Sequence, residues 1–532
     1  MRPATRSRSR KWIGSLLARA AWLAACVAST TLRAQTLPGR LSGAGIVVGL
    51  EYSLLDNERL SNSLADAFAV TGLTGMKHYV ESVQWGAMQK NATAPIDFSK
   101  LDWFVRGYQS RGFTELTISL KPHSEWASKS VGKLKSTNAA PKPEYRDLFQ
   151  TWVAAVVERY DHDGVNDMNG LRWPVRLVEI GNEFSSYEPE PADEYLDVLR
   201  MAYQAAHRAS STVLVGHAAF LTTPVNLDVS NPLEYDARWR ATKREDRAHD
   251  LDDIRKILDH PELFDFVNLH NLGDPYEIEH QVKWVKFETS RRGYTKPIVI
   301  SDTLPTSYVG WGAATACTGL GLGLIVPPAK ESDRCRLAAY FTKLVNKDAA
   351  TLDWTRGFVA ADHVQRTVIA AEQGILAINL SFVADLPFLT TPALRAGAGI
   401  SAWGGALAYN AFGGAIVQRY PLFYAVKQLM EQLTGYRSIT RVPMADARAR
   451  VYRVDNAAGV TWIAWRDPKG VLLPEDGKPT LSVTLPVGMA RARVQEVITA
   501  TGQTLATPTV MQTASGQLTL QLSHTPVYVR GM

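Results

Sequence analysis

Eight short β-rich runs, each separated from the next by enough chain for a helix, constrain this 532-residue sequence more than any other feature. They are GIVVGLEY (45–52), LTGMKHYV (73–80), ELTISLK (115–121), VRLVEIGN (175–182), TVLVGH (212–217), FDFVNLH (264–270), PIVISD (297–302) and ILAINLSF (375–382). Amphipathic segments lie between several of them. YRDLFQTWVAAVVERY (145–160) places Leu148, Trp152, Val153, Val156 and Val157 on one helical face. PLFYAVKQLMEQLTG opens on Pro421, carries a stripe of Leu422, Val426, Leu429, Met430 and Leu433, and reaches a capping Gly435. Strands that alternate with helices return to the same end of a sheet and pair in parallel, and eight such units predict a (β/α)8 TIM barrel with insertions. An open doubly wound sheet is the rival, but no GxGxxG follows the first strand.

After Gly435 the pattern changes to short alternating runs split by Gly, Asn, Asp and Pro: ARVYRVD, GVTWIAWRD, LSVTLP, VQEVITA, GQLTLQLS and TPVYVRG. Such runs predict a small antiparallel β-sandwich. The expected organisation is therefore a signal peptide over 1–34, a barrel over 35–438 and a β-sandwich over 439–532.

The formal charge of +6 does not mark a nucleic-acid binder. Residues 1–34 hold seven basic side chains and no acidic one, which leaves the remainder at −1. That N-terminus has the form of an export signal, a basic start followed by the apolar WIGSLLARAAWLAACVAS. Arg19 interrupts the apolar run and argues against a permanent membrane span. Cleavage after Ala34 is the expected processing, giving a periplasmic or secreted protein; the alternative is a lipid anchor at Cys26, which ends a lipoprotein-like LAAC. Cys317 and Cys335 flank one Gly-rich stretch, and in an exported chain two such thiols are expected to form a disulfide rather than a metal site.

In a barrel of this kind the reactive groups sit at the C-terminal ends of the strands. Here those residues are Glu51 and Tyr52, Glu81, His123 and Trp126, Asn182 and Glu183, His217, His270 and Tyr276, Asp302, and Asp385 or Trp403. The set is acidic and aromatic. No HxH pair, HExxH motif, GxSxG elbow or Walker loop is present, which disfavours metal-dependent hydrolysis, serine catalysis and nucleotide binding. No metal and no cofactor is expected.

EIGNEF at the end of the fourth strand resembles the Asn-Glu motif of the clan A glycoside hydrolases, the retaining barrel enzymes that include β-xylosidases, α-L-iduronidases and heparanase-like glucuronidases. DFVNLHNLGDPY resembles their sixth strand, and YPLFYAVKQLMEQLTG their last barrel helix before a C-terminal β-domain. The resemblance implies that Glu183 is the general acid/base and that Asn182 hydrogen-bonds the sugar 2-hydroxyl. It further implies that His270 supports the nucleophile and that the partner is a carbohydrate. A carboxyl group at the floor of an apolar barrel mouth, with a second carboxylate nearby, is expected to retain its proton.

The sequence departs from that family at the seventh strand, where KPIVISDTLPTSY places Asp302 at the position of a Glu nucleophile. Retaining enzymes hold their two carboxyl groups about 5–5.5 Å apart and inverting ones about 6.5–9.5 Å apart. The side chain of Asp302 is one methylene shorter. Asp302 therefore attacks as nucleophile with help from the backbone, or activates a water as general base, or the site has lost turnover and the protein only binds carbohydrate. Glu81 and Glu125 are substitutes not placed opposite Glu183 in the expected way. Trp126 and Trp403 are the preferred sugar-stacking residues over Trp85 and Trp311, with Tyr276 and His123 as further binding candidates. YDHDGVNDM (160–168) presents Asp161, Asp163 and Asp167 in a DxDGxxD pattern that could hold calcium, but the EF-hand spacing is not met and a solvated loop is expected.

Overall fold

The computed structural model describes residues 45–52, 58–78, 83–129, 138–185, 190–222, 231–241, 249–303, 332–380, 383–385, 403–410 and 414–532. Each of the eight β-rich runs contains a strand: β1 (Val47–Tyr52), β2 (Gly75–His78), β3 (Glu115–Leu120), β4 (Leu177–Ile180), β5 (Leu214–Gly216), β7 (Val267–Asn271), β8 (Ile298–Thr303) and β9 (Ala377–Leu380). A short additional strand, β6 (Phe220–Leu221), continues the fifth position. Neighbours pair in parallel in the order β5-β4-β3-β2-β1-β9-β8-β7-β6. A parallel bridge from Gly216 to Phe266 joins the two ends, so the sheet curls into a barrel. Closure there depends on a missing side chain, since a Cβ on Gly216 would lie 2.1 Å from the Phe266 ring.

The helices between the strands are α1 (Glu58–Phe68), α2 (Ser99–Gln109), α3 (Arg146–Arg159), α4 (Ala192–Ala209), α5 (Leu251–Leu258), α6 (Glu277–Ser290), α7 (Ser332–Val345) and α8 (Ala349–Glu372), with α9 (Pro421–Leu433) after β9. In α3 the buried face is Phe149, Trp152, Val153, Val156 and Val157; Leu148 is only partly buried, one position off the expected stripe. All five stripe residues of α9 are buried, and Gly435 follows at φ 68°.

Strand periodicity explains how the interior is divided. Val47, Leu177, Phe266, Val299 and Ala377 come from strands all around the sheet and form one apolar cluster, which is possible only inside the barrel. Two residues further along their strands lie Glu179, Asn268, Ser301 and Asn379, and four beyond Val47 lies Glu51, all buried. The barrel is dry at its base and polar towards the strand ends, and the candidate site stands on that polar layer.

A small hairpin, β10 (Leu407–Tyr409) and β11 (Ile416–Arg419), precedes α9. The C-terminal part is a six-stranded antiparallel sheet of β12 (Tyr436–Arg441), β13 (Ala449–Asn456), β14 (Gly459–Arg466), β19 (Val527–Gly531), β16 (Arg491–Glu496) and β17 (Thr509–Gln512). The pair β15 (Leu481–Pro486) and β18 (Gln517–Leu522) covers it. Alternation within one strand sends Val451, Ala464 and Val529 towards that pair, and Tyr452, Ile463, Trp465 and Tyr528 into the main core. Polar contacts cross the same seam: the Trp465 indole N–H donates to the Tyr276 hydroxyl at 3.0 Å, and Arg450 meets Glu279 at 2.8 Å. Among the described residues no helix is long and apolar enough to cross a membrane. The predicted signal segment 1–34, with Cys26, lies outside the described residues, as does Cys317; Cys335 on α7 is disulfide-bonded.

Candidate active site

The turn after β4 positions Glu183. Gly181 has φ 88°, and its amide donates to the Leu120 carbonyl at 2.7 Å. A Cβ there would lie 2.4 Å from Asn138 Oδ1, so only glycine lets the chain leave the strand at this point. The next amide, of Asn182, donates to that same Oδ1 at 2.8 Å. Beyond Glu183, Phe184 is fully buried and stacks on His249 at 4.1 Å, and Ser185 exchanges two hydrogen bonds with Leu221. Glu183 is thus carried by a segment fixed on both sides.

Glu183 meets His270, from β7, with Oε1 and Nδ1 2.9 Å apart. On the other side of the ring, Nε2 lies 3.0 Å from Ser301 Oγ. The hydroxyls of Ser301 and Ser119 lie beside the Glu179 carboxylate, which accepts from Asn268 Nδ2 at 2.9 Å. Burial alone would raise the Glu179 carboxyl, but Lys77, His270 and the two hydroxyls together hold it down at about 2. His270 thus bridges Glu183 and Ser301, one at each ring nitrogen.

Asp302 reaches this cluster through a bulge. Val299 and Ser301 face the interior, so strict alternation would turn Asp302 outwards. The β7–β8 register runs Leu269 to Ile300 and then His270 to Asp302, and the β8–β9 register breaks at the same place. The extra residue lets Ser301 and Asp302 both address the barrel mouth. Glu183, His270 and Asp302 each offer an atom within 4.8 Å of the others. Both ring nitrogens of His270 lie within hydrogen-bond distance of a neighbour. Asp302 Oδ1 is buried with no hydrogen-bond partner. Burial pushes its carboxyl above the ordinary value; His270 and Lys77 pull it back, and Glu183 and Glu179 push it up again.

Beneath lies Lys77, 1 % exposed, with Nζ 3.0 Å from Glu179, 3.2 Å from Glu51 and 3.1 Å from the Ser301 carbonyl. Burial opposes its charge, but Glu179, Glu51 and Asp302 hold it protonated. Burial and then the Asp302 charge drive Glu51 well above the usual carboxylate range, although Lys77 draws it down. A buried arm clamps the ends of β7 and β8 from α8: Arg366 pairs with Asp362 and donates to Asn271 Oδ1 at 2.7 Å and to Thr303 Oγ1 at 2.5 Å.

Of the residues expected from sequence, Glu183, His270 and Asp302 are brought together, with Asn182 on the same turn. Tyr276 is placed in the seam instead. Its hydroxyl is held by Trp465 and Arg450 lies 4.4 Å over its ring. Trp126 packs between Trp85 and Tyr145, its indole N–H donating to the Gln89 carbonyl at 2.9 Å. Trp403 is buried in the core, and the His123 carbonyl accepts from Gly86. His217 is fully buried, and that burial lowers its imidazole to about 4 as it stacks on Phe220. Asp385 is paired with Arg356 at 2.7 Å. Glu81 and Trp311 lie outside the described residues. Lys77 and Glu179 were not anticipated as site residues; their signal is interior parity, a charged residue recurring where the strand period points inwards. A separate 570 Å³ cavity between α8 and the C-terminal sheet, lined by Trp354, Phe358 and His524, contains one acid, Asp353, and no carboxyl pair.

The barrel with its terminal β-domain is a glycoside-hydrolase-like fold. Among solved structures, a glucosidase from Croceicoccus marinus superposes with a TM-score of 0.53 at 12% identity, covering 92% of this chain and 96% of that one. The protein BuGH86 in complex with neoagarooctaose superposes at 0.52 and 9% identity, covering 91% and 74%. At these identities the likeness establishes the fold. No protein-family model matches the chain, and no curated protein matches it.

Proposed function

We propose that this chain is an exported retaining glycoside hydrolase in which Glu183 is the acid/base and Asp302 the nucleophile. In the first step Asp302 attacks the anomeric carbon while Glu183 passes its proton to the departing glycosidic oxygen. The carbon–oxygen bond to the leaving group breaks and a glycosyl ester on Asp302 forms. In the second step Glu183 takes a proton from water, the water oxygen attacks the anomeric carbon, and the ester bond breaks to release Asp302. The observation that carries this reading is the approach of the two carboxyl groups, from β4 and β8, to within 4.8 Å. So close an approach of one oxygen from each group supports a displacement through the enzyme. The bulge at Ser301–Asp302 supplies the reach that the shorter side chain lacks.

His270 positions Glu183, Asn182 offers its amide to the sugar, and no cofactor is needed. An aryl glycoside panel tests the reading. Turnover of at least one substrate by the wild type, abolished in Asp302→Asn and lowered in Glu183→Gln most for the poorest leaving groups, is the expected result. Tight glycan binding by a wild type that turns over nothing would replace it with the binding-only alternative.

A further inference from the structure

Between α3 and β4 the chain runs through YDHDGVNDM, and the loop curls back on itself with positive φ at His162 (63°), Gly164 (95°) and Asn166 (50°). Asp167 accepts the amides of His162 at 3.0 Å and Gly164 at 2.8 Å on its two oxygens, and Asp163 Oδ1 accepts that of Val165 at 2.8 Å. One carboxylate oxygen from each of Asp161, Asp163 and Asp167 lies within 4.8 Å of the other two. So far this describes an acidic turn.

A second observation separates it from one. Asp161 is only 9 % exposed, and its Oδ1 is buried without a hydrogen-bond partner. Burial and then the like charges of Asp163, Glu158 and Asp167 raise its carboxyl, against one opposing hydrogen bond from the Asp163 amide. Arg159, two residues away, is committed elsewhere, holding Asp102 at 2.6 and 2.8 Å. The cluster also follows directly on the C-terminal end of α3, where the helix dipole is negative. Three carboxylates, one buried at an oxygen, at the negative end of a helix and with no cation paired to them among the described residues are destabilising unless a cation joins them.

We propose that Asp161, Asp163 and Asp167 bind a hard divalent cation of the calcium class. The donors are all carboxylate oxygens, the set that suits calcium rather than zinc, and water and loop carbonyls complete the six to eight positions such an ion takes. The ion would brace the link into β4, where the Val175 amide bonds the Tyr160 carbonyl at 2.8 Å and the Met168 amide bonds that of Arg159 at 2.9 Å. The site is structural and independent of the reaction proposed above.

Isothermal titration of the EDTA-treated, dialysed full chain with calcium chloride tests this directly. The expected result is one binding event per chain and a melting temperature that rises by a few degrees at saturation. Asp163→Asn and Asp167→Asn keep the loop's amide acceptors but lose ligand charge, and each should weaken binding at least tenfold with an unchanged circular dichroism spectrum. No heat and no melting shift in the wild type at 10 mM calcium, a concentration about tenfold above the weakest extracellular calcium modules, would overturn the proposal. Binding of undiminished affinity in both variants would overturn it equally.

Discussion

Glu183 Oε1 and His270 Nδ1 stand 2.9 Å apart, and Ser301 fixes the far side of the same imidazole at 3.0 Å. The imidazole therefore ties Glu183 to the buried polar layer that holds Ser301 and Glu179. A residue meant to donate to a leaving oxygen and later take a proton back must be held in one orientation, and this contact holds it.

Replacing Glu183 by Gln removes the transferable proton while keeping the shape. Turnover of substrates with poor leaving groups should fall by about 10²–10⁴. Substrates with an acidic aryl leaving group, which departs without protonation, should lose far less in the glycosylation step. Single-turnover kinetics on two aryl glycosides of different leaving-group pKa would show the divergence; an equal loss on both would remove Glu183 from the acid role.

The proposed reaction predicts the stereochemical course. Two inversions, one at Asp302 and one by water, return the anomeric carbon to its starting configuration. Proton NMR of the first released sugar should therefore show the substrate's own anomer. The opposite anomer would make Asp302 a water-activating base.

The buried cation Lys77 governs both pH dependence and stability. In the proposed reaction Asp302 must be ionised to attack, and burial holds its carboxyl above the ordinary value, so the acid limb of kcat/KM should lie above that of an ordinary aspartate. Lys77 pulls that limb down, and Lys77→Met should move it to higher pH. Glu179, held at about 2, lends stability that is fully present above its unfolded pKa and lost as pH falls from there towards 2. Without Lys77, the buried Glu179 carboxylate loses its counter-charge, a cost of about 3–5 kcal/mol near neutrality. Glu179 then titrates higher in the fold than in the unfolded chain, so the variant's deficit should shrink as pH is lowered. Melting curves of both proteins from pH 4 to 8 would check the sign.

Much of this was legible in the sequence because period-2 runs and helix-length spacers leave few folds open. All eight runs carry strands of the barrel, and EIGNEF placed Glu183 at a strand end through its glycine. What escaped was whatever depends on packing between distant segments. The inward charges Lys77 and Glu179 sit mid-strand, where a linear reading sees only the strand ends. The bulge that turns Asp302 inwards is a register event between three strands and leaves no local mark. Trp126, Trp403 and Tyr276 follow strand ends and so suggest sugar contacts, yet Trp403 is buried in the core and the other two pack against neighbours from other segments. For Tyr276 that neighbour is the C-terminal sheet, both of whose faces are covered.

Gly181 tests whether the turn after β4 is required. An alanine there would adopt an unfavourable φ and press its Cβ into Asn138 Oδ1, at 2.4 Å in the present geometry. Gly181→Ala should cost about 1–3 kcal/mol in stability, and a shift of Glu183 near 1 Å should lower turnover about a hundredfold. Chemical denaturation and kcat measured on the same preparation would separate the two effects; wild-type values for both would mean the turn does not position Glu183.

Tyr276 distinguishes a sugar contact from a seam contact. Its hydroxyl receives the Trp465 indole N–H at 3.0 Å, and its ring lies under Arg450, both from the C-terminal sheet. Tyr276→Phe keeps the ring and leaves the buried indole donor without a partner, which should cost about 1–3 kcal/mol of stability. Because the hydroxyl points into the seam, KM and kcat at a temperature well below melting should stay at wild-type values. A rise in KM with unchanged melting would return Tyr276 to the substrate. A loss of melting temperature alone would identify it as a tie between the barrel and the β-domain, the role its contacts describe.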